Sequence, residues 1–88
     1  MPKLDNTQIV RILINEMFKI SGHDVTYDQL LDRKDEWYNQ YTMTEQQNQE
    51  WKKFGVKLLM KEKRMLKKKA EYEMGMLDLN WGLKIESK

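Results

Sequence analysis

The sequence contains no cysteine, so neither disulfides nor thiolate metal sites can stabilise its 88 residues. Its one proline is residue 2 and its four glycines are scattered, so no linker separates two domains. No apolar run approaches the ~20 residues of a membrane span, and the N-terminus lacks the apolar segment of a signal peptide. These absences predict a single domain over residues 1–88, with the cytoplasm as the expected compartment and no association with a membrane.

Charge is abundant and unevenly distributed along the chain. Hydrophobic residues make up 40% of the sequence and charged residues 34%, which suits a folded helical protein better than a disordered chain. Residues 1–50 carry nine acidic and five basic side chains, whereas residues 51–88 carry eleven basic and five acidic ones. Such an asymmetry bears on the choice of partner rather than on the fold.

Capping boxes mark the predicted helix starts, because a Ser, Thr or Asp at the cap is followed three residues later by Gln or Glu. The pairs are Asp5 with Gln8, Thr26 with Gln29, and, for a third helix, either Thr42 with Glu45 or Thr44 with Gln47. Apolar residues recur at helical intervals after each cap, and the second helix includes Trp37 and Tyr38 on its apolar side. No strand-length alternation is present, so the sequence predicts an all-α fold of three to four helices.

The C-terminal half leaves open whether residues 45–80 form one helix or two. One helix would be roughly 54 Å long, and its apolar stripe would need a partner chain. A break near Arg64–Leu66 would keep the molecule compact, but no Gly, Pro, Ser or Asn marks it. Lys67, Lys68 and Lys69 would also crowd a helix N-terminus, where cations are unfavourable. These cues favour one long C-terminal helix, in which Gly55 would allow the close approach of another helix.

No catalytic constellation is present. The single histidine, His23, lies near Asp24 and Asp28, but this spacing matches no established metal site and suits a loop cap better. The sequence also lacks a Ser-His-Asp set, a P-loop and a glycine-rich phosphate cradle. We therefore predict a protein that is not an enzyme and that needs neither a cofactor nor a metal.

A basic stretch is the main candidate for a binding site. Residues 52–69 hold nine Lys or Arg and a single acid. On a continuous helix, a row along one side is formed by Lys53, Lys57, Lys61, Arg64 and Lys68. This row can follow phosphates or meet an acidic protein, or it can be a solvated helix face. Only one of the nine is Arg and no nucleic-acid-binding motif is present, so a solvated face or a protein partner is favoured over nucleic acid.

Three segments carry a resemblance to a known family: "NTQIVRILINEMFKISGHDVTYDQL", "DEWYNQYTMT" and "MKEKRM…KKKAEYEMGMLDLNWGLKI". With these segments, the chain resembles small uncharacterised proteins of myovirus-type marine cyanophages. The resemblance covers nearly the full length and implies a phage origin and expression in the cytoplasm of an infected host cell. It implies no activity and no site residues.

The sequence as a whole predicts a small helical interaction protein that self-associates or docks on a phage or host protein. The alternative is a nonspecific nucleic-acid-binding accessory protein that uses the basic helix 52–69. A homo-oligomer is expected, with the third and fourth helices supplying much of the interface, because exposed apolar area forfeits roughly 25 cal/mol per Å². An acidic protein is the other expected partner.

Overall fold

The computed structural model describes residues 4–33, 36 and 40–86. The chain forms α1 (Asn6–Ile20), α2 (Tyr27–Leu30) with a 3-10 turn at Leu31–Arg33, β1 (Thr42–Met43), α3 (Glu45–Glu62), α4 (Lys67–Trp81) and β2 (Lys84–Ile85). The predicted all-α fold is confirmed, since the strands of this part of the chain have only two residues each. Trp37 and Tyr38, which the sequence assigns to the second helix, lie outside the described residues.

The predicted capping boxes begin three of these helices. At α1, the Asp5 carboxylate accepts a hydrogen bond from the Gln8 backbone N–H at 2.8 Å, and the Gln8 amide oxygen accepts from the Asp5 N–H at 2.9 Å. The same exchange caps α2 at Thr26 and α3 at Thr44. Of the two rival caps for α3, Thr44 is therefore the cap, and Thr42 belongs to β1 instead.

The core forms where α3 packs against both α1 and α4. Trp51 of α3 is fully buried, and its indole Nε1–H donates to the Leu13 carbonyl oxygen at 2.7 Å. From α4, Ala70 and Met74 complete the packing on the other side. The buried side of α1 consists of Ile9, Leu13, Ile14, Met17 and Phe18. One apolar cluster thus joins all three long helices.

Residues 45–80 form two helices, which is one of the two alternatives that the sequence left open, and not the single long helix that its cues favoured. Helix α3 ends at Glu62. The N–H of its C-cap, Lys63, donates to the Leu59 carbonyl oxygen, and Arg64 takes a left-handed conformation with φ of +53°. The chain then reverses, and α4 begins at Lys67, after the N-cap Leu66, whose side chain forms no capping hydrogen bond. The resulting radius of gyration is 12.8 Å, near the ~12 Å expected for a compact chain of this length. The chain reversal is favoured over one straight helix because it buries Ala70 and Met74 against the core, whereas a straight helix would leave both side chains exposed.

The turn after α3 is strained at Arg64, because a left-handed conformation costs an L-residue ~1–2 kcal/mol. We expect Arg64→Gly to raise the free energy of unfolding by about 0.5–1 kcal/mol, since glycine adopts this conformation freely but loses more chain entropy on folding. Urea unfolding followed by circular dichroism measures the change. Lys63→Gly is the matched control: its φ of −108° brings no relief, so we expect no gain. Equal or lower stability of Arg64→Gly would contradict the left-handed turn.

A short parallel pair of strands holds the C-terminal segment. Thr42 pairs with Lys84 and Met43 with Ile85, and the Glu86 N–H donates to the Met43 carbonyl oxygen at 2.8 Å. The segment that follows α4 is therefore tied to the one that precedes α3. This closure places both ends of the α3–α4 hairpin on the same side of the molecule.

Candidate functional site: a lysine-rimmed groove

A groove of 690 Å³ lies between α3 and α4, and we call it the α3–α4 groove. Its volume lies within the ~300–1,000 Å³ typical of ligand pockets. The apolar residues that line it are Val56, Met60 and Met74. The charged and polar residues around them are Lys52, Lys53, Lys57, Lys67, Glu71 and Gln49. An apolar floor is thus bordered by four lysines and a single carboxylate.

The floor exists because the two helices approach closely at Gly55. This residue is buried in α3, and a Cβ atom placed on it would overlap the side chain of Met74. The missing side chain lets Met74 pack against the α3 backbone, which confirms the close approach predicted from the sequence. Val56 and Met60 follow four residues apart on α3, so they lie on the same side of the helix. Lys53 and Lys57 keep the same interval and form one border.

One of the four lysines is already paired within the protein. The Lys52 Nζ lies 3.5 Å from Asp78 Oδ2, while the other Asp78 oxygen accepts a hydrogen bond from the Asn48 side-chain amide at 3.0 Å. Asn48 is a buried polar residue, so this bond satisfies a group that would be costly to leave without a partner. In contrast, neither Lys53, Lys57 nor Lys67 forms an ion pair with a carboxylate among the described residues. These three ammonium groups supply the charge available to a ligand.

The structure distributes the predicted basic row over three segments. Lys53, Lys57 and Lys61 are on α3, Arg64 is in the turn, and Lys68 is on α4, all of them exposed. Only Lys53 and Lys57 line the α3–α4 groove. The row was derived for one continuous helix, so the break after Glu62 ends it at Lys61.

Lys52 and Lys67 border the groove although the sequence interpretation did not select them. Lys67 reaches it only through the chain reversal, which has no local sequence signal. The Asn48–Asp78 contact was also missed. Its one available sign was that Asn48 precedes Trp51 and Gly55 at helical spacing along the buried side of α3.

His23 has a structural role in the loop before α2. Its ring Nε2–H donates to the Thr42 carbonyl oxygen at 2.9 Å, and its ring lies edge-on to Tyr41 with centroids 4.7 Å apart. Asp28 instead pairs with Arg11 at 3.3 Å. Over residues 4–33, 36 and 40–86, no group of three or more His, Asp or Glu is arranged to hold a metal ion. The helices in these ranges include none with the length and apolar character to cross a bilayer.

The groove offers two kinds of contact at once, apolar surface and unpaired cationic charge. Its chemistry therefore suits a ligand with apolar groups on one side and anionic groups flanking them. No protein-family model matches the sequence, and neither a curated protein nor a solved structure was found to be similar to it.

Proposed function

We propose that the protein is a helical interaction module whose α3–α4 groove binds an acidic amphipathic segment of a partner protein. The observation that carries the proposal is the apolar floor of Val56, Met60 and Met74 between lysines. Such a segment would bury its apolar side on the floor, as amphipathic helices do in hydrophobic grooves. Burial would supply most of the affinity at ~25 cal/mol per Å². The exposed lysines would contribute ~0–1 kcal/mol each and would accelerate association with an acidic partner.

Nonspecific nucleic-acid binding is the alternative, and two features make it less favourable. A phosphate backbone has no apolar groups to bury on the floor of the groove. The row of basic residues expected for one continuous helix also ends at Lys61, because Arg64 lies in the turn and Lys68 on α4, so a phosphate backbone would meet a shorter row. The resemblance to cyanophage proteins leads us to propose a phage or host protein as the partner, bound without catalysis.

We expect the charge-reversed triple variant Lys53→Glu, Lys57→Glu, Lys67→Glu to bind an acidic amphipathic peptide at least roughly tenfold more weakly, because attraction becomes repulsion at three positions. The probe is a fluorescein-labelled helical peptide with Leu on one side and Glu on the other, followed by fluorescence anisotropy. The matched control is Lys61→Glu, Arg64→Glu, Lys68→Glu, which changes the net charge equally outside the groove. We expect this control to bind within about twofold of the parent, because none of its three residues lines the groove and salt weakens interactions between exposed charges.

The same titrations distinguish the alternative. A protein that binds nucleic acid through backbone contacts would lose DNA affinity in both triple variants and would show a steep dependence on salt. Met60→Gln removes apolar surface from the floor of the groove without changing the charge. It should therefore weaken the binding of the peptide and leave any binding of DNA unchanged. The proposal is wrong if the parent prefers DNA to the peptide, or if both triple variants lose the peptide equally.

A further inference from the structure

A second surface, on the outer side of α4, is apolar although it faces solvent. Tyr72, Met76 and Leu79 are 66%, 41% and 81% exposed, and they follow one another at intervals of four and three residues. We call these three residues with Gly75 the α4 stripe. The opposite side of α4 is the one that buries Ala70 and Met74. A helix on the surface of a lone domain normally carries polar residues on its outer side, so an apolar stripe here indicates a contact surface.

We infer that the α4 stripe binds a second copy of this chain, with the two α4 helices antiparallel about a two-fold axis between Gly75 and Met76. A two-fold interface must be self-complementary, and the stripe has the required symmetry. Tyr72 precedes Gly75 by three residues, and Leu79 follows Met76 by three. The axis therefore places Tyr72 against the partner's Leu79, and Met76 against the partner's Gly75. Nothing lies within 4 Å of a Cβ atom placed on Gly75, which leaves open space for the larger side chain.

The distribution of charge along α4 also supports a second copy of the chain as the partner of the α4 stripe. Helix α4 begins with Lys67, Lys68 and Lys69, has no acidic residue in its first turn, and has no basic residue in its last turn. The N-terminal lysines oppose the dipole of an isolated helix, and no acidic residue in the first turn or basic residue in the last turn offsets this effect. In an antiparallel pair, Lys68 and Lys69 of one α4 lie beside the C-terminal end of the other, where the carbonyl oxygens concentrate negative charge. The arrangement that is unfavourable within one chain is therefore favourable between two.

The α4 stripe and the α3–α4 groove are on different sides of α4. The groove is lined by Lys67, Glu71 and Met74 of α4, whereas the stripe lies on the exposed side of the same helix. A dimer formed through the stripe leaves both grooves accessible, and two linked grooves would bind a repeated partner with avidity. The dimer does not depend on the proposed ligand of the groove, so either proposal can fail without the other.

Sedimentation velocity of the full chain over a concentration series tests the dimer. An interface of one 15-residue helix per chain is small, so we expect dissociation in the micromolar range. Tyr72→Glu and Leu79→Lys should each weaken the dimer at least ~tenfold, because each places a charge against an apolar side chain of the partner. Both residues are largely exposed, so the helix content by circular dichroism should match that of the parent at concentrations where all proteins are monomeric.

Mixing the two single variants tests the register. The two-fold axis pairs positions 72 and 79, so the heterodimer brings the introduced carboxylate against the introduced ammonium and keeps one Tyr72–Leu79 contact. We expect the mixture to associate more tightly than either variant alone. Leu31→Glu, at an exposed leucine outside α4, is the control and should leave the dimer unchanged. A monomeric parent at high micromolar concentration, a mixture no tighter than its components, or equal disruption by Leu31→Glu would each overturn the proposal.

Discussion

Trp51→Ala is expected to leave most of the protein unfolded at 25 °C. Trp51 is fully buried in α3, where its ring belongs to the cluster that joins α1, α3 and α4. Truncating a buried tryptophan costs ~3–5 kcal/mol, and the Leu13 carbonyl oxygen also loses its 2.7 Å donor. The total is comparable to the stability of a small domain, ~5 kcal/mol at the lower end. Helix content by circular dichroism and the urea midpoint measure the loss.

Trp51→Phe separates the two contributions. Phenylalanine keeps most of the buried ring but cannot donate a hydrogen bond, so the variant should fold with a loss of about 1–3 kcal/mol. A graded result, with alanine far more destabilising than phenylalanine, is expected for a ring in the centre of the core. If the free energy of unfolding of Trp51→Ala instead lies within 1 kcal/mol of the parent value, α3 does not pack between the other two helices as described.

Gly55→Ala is expected to lower the free energy of unfolding by about 1–3 kcal/mol, although alanine is the better helix former by ~1 kcal/mol. The added methyl group would overlap the side chain of Met74, which is fully buried, so this side chain would have to move within a packed core. Movement of Met74 would also alter the floor of the α3–α4 groove, which this side chain lines. Urea unfolding measures the first effect, and binding of the acidic peptide measures the second.

The matched control is Gly75→Ala, the same substitution in the next helix. Nothing lies within 4 Å of a Cβ atom at Gly75, so we expect the full propensity gain of roughly 0.5–1 kcal/mol. Both variants are compared at a protein concentration low enough to keep the chain monomeric. Stabilisation of equal size by the two substitutions would show that the close approach at Gly55 does not occur.

The helix starts could be predicted because a capping box is a local exchange between residues three apart. Asp5 with Gln8 and Thr26 with Gln29 are complete in the sequence, and the structure contains both. The choice between Thr42 and Thr44 could not be made locally, because it depends on a distant segment. Thr42 pairs with Lys84 in the parallel strands, so Thr44 caps α3. The predicted all-α class followed from the same local signals.

The candidate site was predicted only in part. Lys53 and Lys57 border the groove as members of the predicted basic stretch, since both belong to one helix whose periodicity is visible in the sequence. Lys67 joins them across the turn, and the apolar floor depends on Met74 lying against Gly55. Neither relation follows from spacing along the chain. The binding of a partner, the non-enzymatic role and the phage origin stay predictions.

The sequence by itself determined the helical class, the capped starts and the concentration of positive charge in the second half. Only the tertiary structure decided where the C-terminal helix breaks and which lysines meet. The physical reason is that capping and periodicity act within a few residues, whereas the turn at Arg64 has no favourable local signal and a left-handed residue in it. Burial of Ala70 and Met74 against the core outweighs that local cost. Such burial depends on pairs of residues separated by the whole length of a helix.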